Sequence, residues 1–91
     1  MSYAFRKSDA NQSEIVETLR SVPGVSVFVT TIVKHGFPDL VVGFRGVTYL
    51  FELKTEKGKL TDDERDFFDS WTGQITIARS AEDILEAIGA I

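Results

Sequence analysis

The chain has 91 residues and a formal net charge of -4, with 43% hydrophobic and 26% charged residues. That length suits one small domain, and the composition is that of a folded globular protein rather than a disordered or fibrous chain. No apolar run approaches the ~18 residues of a membrane span, and the first fifteen residues are too polar for a secretory signal, so we expect a cytoplasmic protein. The absence of cysteine excludes disulfides and thiolate zinc sites, and with one histidine any bound metal must be held mainly by oxygen atoms.

The first half of the chain predicts one helix followed by three strands. Apolar residues at helical spacing indicate a helix over residues 9–22. Residues 25–32 are rich in β-branched and aromatic side chains, which predicts a largely buried strand. Two further strands are predicted over residues 39–44 and 47–54. They are joined at Arg45-Gly46, where glycine supplies the positive φ that a tight hairpin needs.

The second half predicts a helix, a short strand and a last helix. Thr61 and Glu64 form a capping box that opens the first of these helices, and we expect its buried face to consist of Phe67, Phe68 and Trp71. A strand over residues 74–79 follows, and Ser80 begins the last helix. The element order αβββαβα predicts a single α/β domain over residues 1–91, with its core at about 9–89.

The predicted hairpin brings two carboxylates and an ammonium group to one face of the sheet. Glu52 and Lys54 share a face because side chains alternate along a strand. If the hairpin loop has two or four residues, Asp39 lies directly opposite Glu52, and opposed side chains of antiparallel strands project to the same face. A loop of odd length would shift the register and separate them.

Two adjacent carboxylates repel each other, and a divalent cation removes that conflict. Magnesium or manganese accepts oxygen ligands, so Asp39, Glu52 and the backbone carbonyl of Leu53 are candidate metal ligands. Lys54 beside the cation could orient a water molecule or stabilise charge that develops on a phosphate. The combination predicts metal-dependent hydrolysis of a phosphodiester bond.

Three segments of the chain resemble the active-site motifs of the PD-(D/E)xK nuclease superfamily: Glu14, Gly36-Phe37-Pro38-Asp39 and Glu52-Leu53-Lys54. Their spacing, and the segment 57–61 that leads into a helix, is similar to the virus-type replication-repair nuclease (VRR-NUC) domain. The resemblance implies a restriction-endonuclease-like αβββαβ core with a mixed four-stranded sheet flanked by helices. It also implies a catalytic metal site made of Glu14, Asp39, Glu52 and Lys54. The family often has glutamine where this chain has Glu64.

Several candidates also have an ordinary structural explanation. Glu14 is either a further metal ligand or a solvated first-turn acid favoured by the helix dipole. Lys34, Lys57 and Lys59 are either nucleic-acid-binding residues that neutralise phosphates or solubilising loop lysines. His35 is treated as an exposed loop residue, and Glu64 is explained by the capping box alone.

The resemblance implies a DNA endonuclease of phage or bacterial replication, recombination or repair. We expect a homodimer that prefers branched DNA, particularly four-way junctions, because two symmetric cuts need two sites. An apolar strand edge, or Tyr3 and Phe5, are candidate interfaces. Two alternatives remain: a non-catalytic nucleic-acid or protein-binding module that keeps the fold, and an RNA-directed nuclease. The acidic net charge is unusual for a protein that binds nucleic acid.

Overall fold

The computed structural model describes residues 6–91, with side chains described from residue 11 onward. Tyr3 and Phe5 lie outside the described residues. The predicted element order αβββαβα is confirmed, and the elements are α1 (Arg6–Arg20), β1 (Val25–Val29), β2 (Leu40–Phe44), β3 (Val47–Leu53), α2 (Asp62–Ser70), β4 (Thr76–Ala78) and α3 (Ala81–Ile88). Within residues 6–91, none of the helices is both long and apolar enough to cross a membrane.

The strands form one mixed sheet in the order β1-β2-β3-β4, with β3 and β4 parallel and the other pairs antiparallel. The hairpin between β2 and β3 has a two-residue loop in which Arg45 (φ 53°) and Gly46 (φ 81°) are both left-handed, as a type I′ turn requires. Phe44 therefore pairs with Val47, which is the register predicted from the sequence.

The hydrophobic core lies on one face of this sheet, beneath α1 and α3. Its fully buried side chains alternate along the strands and repeat at helical spacing, and they include Leu19, Leu40, Val42, Phe51 and Ile84. Burial of these side chains on one face directs Glu52, whose neighbours in β3 face the core, to the opposite face.

The first strand differs from the prediction. β1 ends at Val29 rather than residue 32, because the chain turns after Thr30, where the Val33 amide donates to the Thr30 carbonyl. The expectation of a largely buried strand is wrong. β1 is an edge strand, and Phe28, on its uncovered face, is 70% exposed.

The second helix keeps its predicted cap but not its predicted buried face. Thr61 and Glu64 form the capping box in both directions, whereas none of the nine residues of α2 is fully buried. Phe67 is half-buried, with its ring packed edge-on against Phe37 and stacked on Trp71, which is 42% exposed. Phe67 thus forms a local cluster with Phe37 and Trp71, and the spacing of these aromatic side chains reflects that cluster rather than a core-facing stripe.

Candidate active site

Backbone hydrogen bonds hold Asp39 at the entrance of β2. Its amide donates to the Phe51 carbonyl (3.1 Å) and its carbonyl accepts from the Thr30 amide (2.7 Å). Its side-chain oxygen Oδ2 accepts from the Leu53 amide (2.9 Å). The β2–β3 register, continued by one pair beyond Leu40 and Phe51, places Asp39 opposite Glu52. The carboxylate therefore has one defined position on the sheet.

Glu52 is a buried carboxyl group with an unsatisfied oxygen. The residue is 2% exposed, and its Oε1 is buried without a hydrogen-bond partner among the described residues. Burial, followed by repulsion from Asp39 and a contact with Glu64, raises the pKa of Glu52 from 4.5 to about 9. Burial also raises the pKa of Asp39. The charge of Lys54 lowers both pKa values, but burial outweighs its effect.

Lys54 connects the sheet to α2. Its Nζ lies 2.8 Å from Glu64 Oε1 and 3.5 Å from Glu52 Oε2, and all three side chains are at least four-fifths shielded from solvent. Burial opposes the charged form of Lys54, but the contacts with Glu64 and Glu52 outweigh it and raise the pKa of the ammonium group. The lysine is therefore a charged group between two carboxylates.

The position of α2 depends on a close approach at Gly36. This residue has φ 80°, and a Cβ built on it would clash with the backbone carbonyl of Asp63 in the first turn of α2. Glycine is the residue type that allows both the left-handed conformation and the contact. The segment that precedes Asp39 thus packs directly on the turn that carries Glu64, which the sequence assigned only to the helix cap.

The donor set fits a hard divalent cation. Asp39 and Glu52 supply carboxylate oxygens, one of them an unpartnered buried atom. The Leu53 amide faces Asp39, and in extended backbone the carbonyl of the same residue points to the same side. Within residues 11–91, no group of three or more histidine, aspartate or glutamate side chains has the arrangement of a complete metal site. Magnesium is commonly bound by one or two carboxylates with retained waters, so the smaller set is compatible with it.

Glu14 lies apart from the contacts described above. It is exposed on α1 and lines a groove with Thr18 and with Arg79 and Ser80 at the start of α3. The hydrogen bonds and ion pairs of the described residues join Asp39, Leu53, Glu52, Lys54 and Glu64, and they do not include Glu14. Its role as a metal ligand stays a prediction.

The three candidate phosphate-binding lysines are exposed on loops that adjoin the carboxylates. Lys34 lies in the loop that leads to Asp39, and Lys57 and Lys59 lie in the loop that follows Lys54. The second loop is organised by Arg79, whose Nη1 donates to the carbonyls of Thr55, Glu56 and Gly58.

Arg79 gave no signal in the sequence, because it follows β4 and is 21 positions from the nearest carbonyl that it binds. The parallel pairing of β3 and β4 places it there: Leu53 pairs with Ala78, and the Lys54 amide donates to the Ala78 carbonyl. The carboxyl ends of β3 and β4 therefore lie side by side. Arg79, the first residue after β4, binds the loop that follows β3.

A comparison with solved structures supports the fold. A structure described as "VRR_NUC domain" superimposes with a TM-score of 0.63 and 23% sequence identity, over 91% of this chain and 95% of that chain. No protein-family model and no curated protein matches the sequence. The chain therefore has the α/β fold of a VRR-NUC domain, with the mixed four-stranded sheet and flanking helices expected from the sequence.

Proposed function

We propose, from this fold and from the carboxylate–lysine cluster at the ends of its two central strands, that the protein is a divalent-metal-dependent endonuclease that hydrolyses phosphodiester bonds in DNA. The observation that carries the proposal is the juxtaposition of Asp39, the buried and unsatisfied carboxyl group of Glu52, and the ammonium group of Lys54. A purely structural ion pair does not account for the unsatisfied oxygen, because buried polar atoms are normally hydrogen-bonded.

Asp39, Glu52 and the Leu53 carbonyl are the proposed ligands of Mg²⁺ or Mn²⁺, with Glu14 as a further candidate ligand. When bound, such a cation supplies Lewis-acid chemistry and a nucleophilic water at neutral pH. The backbone bonds to Asp39 fix the direction of its carboxylate before any ligand arrives. This preorganisation lowers the cost of assembling the site.

Lys54 is the proposed electrostatic catalyst. Its ammonium group is held beside Glu52 in a mostly shielded environment, where a positive charge interacts more strongly with a developing negative charge than it does in water. Its raised pKa keeps it protonated at neutral pH, so it can donate a hydrogen bond to a phosphoryl oxygen but does not serve there as a general base.

Substrate binding is proposed to occur along the two loops that carry Lys34, Lys57 and Lys59. These exposed side chains flank the cluster and can contact phosphates on either side of the scissile bond. The net charge of -4 is compatible with this arrangement, because the cation neutralises part of the carboxylate charge and α2 carries several of the remaining acids.

The finer proposal is a structure-specific enzyme of phage or bacterial replication, recombination or repair that acts on branched DNA as a homodimer. One chain offers one cluster, whereas resolution of a four-way junction needs two incisions related by symmetry. A two-fold dimer presents two sites in opposite orientations to the two strands.

The test is cleavage of labelled duplex, flap, splayed and four-way DNA, with RNA in parallel, with and without Mg²⁺ or Mn²⁺. Asp39→Ala and Glu52→Ala should abolish metal-dependent cleavage, and Lys54→Ala should lose most turnover while binding metal. Glu86→Ala removes an exposed carboxylate of α3 and is the matched control. Wild-type rates in either carboxylate variant would show that the site is misassigned. Nucleic-acid binding without cleavage would favour a non-catalytic binding module. Cleavage of RNA but not DNA would favour an RNA-directed nuclease.

A further inference from the structure

Glu64 makes two contacts with the same oxygen atom. Its Oε1 accepts from the Thr61 amide at 2.9 Å, which completes the capping box, and lies 2.8 Å from Lys54 Nζ. The cap alone explains the first contact but not the second. The second contact is also shorter than the 3.5 Å distance between Lys54 Nζ and Glu52 Oε2.

A lysine side chain needs an external partner to hold its charge in one place. Its flexible four-carbon stem has many rotamers, and ordering it costs conformational entropy. The Glu64 contact lies where both side chains are less than one-fifth exposed, so it is screened less than a surface ion pair. The approach of α2 to Gly36 then determines where the carboxylate of Glu64 stands.

We propose that Glu64 is a positioning residue for Lys54: its carboxylate fixes the ammonium group next to Glu52 and so directs it toward the scissile phosphate. Glu64 acts through Lys54 and does not itself contact the reacting atoms. The inference rests on the proposed nuclease function for its catalytic consequence, but the Glu64–Lys54 contact can be tested without any activity.

The decisive variant is Glu64→Gln. Glutamine is a normal partner in the capping box, so this change keeps the cap and removes the negative charge that faces Lys54. A charge-assisted hydrogen bond is roughly twice as strong as a neutral one, and we expect kcat to fall about tenfold while KM does not rise. The control is Thr61→Ala, which removes the other half of the capping box and leaves the Glu64 carboxylate in place. It should lower the melting temperature and retain wild-type kcat.

A double-mutant cycle of unfolding free energies supplies the second readout. Glu64→Gln, Lys54→Met and the double variant are unfolded in urea without metal, and the effects should be clearly non-additive if the two side chains are coupled. Additive effects overturn the proposal even if the wild-type protein proves not to be a nuclease. In an active enzyme, wild-type kcat in Glu64→Gln, or an equal loss of kcat in Thr61→Ala, also overturns it. Coupling in a protein that cleaves nothing would support the Glu64–Lys54 contact while refuting the nuclease function.

Discussion

The Leu53 amide donates a 2.9 Å hydrogen bond to Asp39 Oδ2, across 14 positions of the chain. Through this bond, a side chain extends the β2–β3 hydrogen-bond ladder just before β2 begins. The Asp39 carboxylate is therefore fixed against the backbone at the end of β3. Glu52 precedes Leu53 and Lys54 follows it, and both therefore have a defined relation to Asp39. The geometry of the candidate site thus depends on the strand register.

The unusual protonation of Glu52 predicts that the metal-free protein loses stability as pH rises. The pKa of Glu52 is raised from 4.5 to about 9, so between these values the folded state binds more protons than the unfolded state. Stability contributed by this group is present below about pH 4.5 and declines as pH rises toward 9. Glu52→Gln should remove that decline. The test compares the melting temperatures of the variant and the wild type at pH 5 and pH 8.5. An equal change of melting temperature in both proteins would contradict the prediction.

Divalent metal should stabilise the folded protein. A cation that binds the native site but not the unfolded chain adds about 2.7 kcal/mol when its free concentration is roughly 100 times Kd. We expect Mg²⁺ or Mn²⁺ to raise the melting temperature, more strongly at high pH because the cation replaces protons. The increase should be absent in the Asp39→Ala, Glu52→Ala double variant. An equal increase there would place the ion elsewhere.

Glu14 should affect metal binding only if α1 contributes to the site. We expect Glu14→Gln to weaken Mn²⁺ binding by at least about tenfold, because it removes a proposed carboxylate ligand and even groups outside the coordination shell contribute that much. Calorimetric titration gives the value. Glu17→Gln, another exposed acid on α1, is the matched control. The same affinity in both variants would assign Glu14 to the solvated face of the helix.

Arg79 should influence DNA binding through the loop that it organises. Arg79→Ala removes the hydrogen bonds to the carbonyls of Thr55, Glu56 and Gly58 and releases the segment that carries Lys57 and Lys59. We expect roughly fivefold weaker DNA binding, on the order of 1 kcal/mol. Binding isotherms should be measured at two salt concentrations, beside Arg65→Ala, which removes an exposed charge of the same type from α2. Equal losses of DNA affinity in the two variants would show that Arg79 acts only through its positive charge.

Paired incision should accompany dimerisation. We expect sedimentation at working concentration to show a dimer, and product mapping on a four-way junction to show cuts related by two-fold symmetry. A linear duplex of the same sequence serves as the substrate control. A monomer that nicks single arms independently would contradict this prediction.

Much of the sheet could be predicted from local sequence. Arg45-Gly46 indicates a tight hairpin, and with the two-residue loop that the structure shows, alternation along β3 determines which residues face Asp39. Both rules act over a few neighbouring positions. The capping box of α2, the Ser80 cap of α3 and the order of elements follow from equally local chemistry. Burial was less predictable: β1 has the composition of a buried strand, but Phe28 lies on its uncovered face and is exposed.

The tertiary structure alone decided which distant groups meet. The sequence determined that Asp39, Glu52 and Lys54 share one face, since they lie on adjacent strands of one hairpin. It did not place Glu64 against Lys54, because that contact depends on how α2 packs on Gly36, nor Arg79 against the loop after β3, because that depends on a parallel strand pair. The sequence around a residue determines its conformational preference. Contacts between separate elements depend instead on a packing energy summed over many side chains.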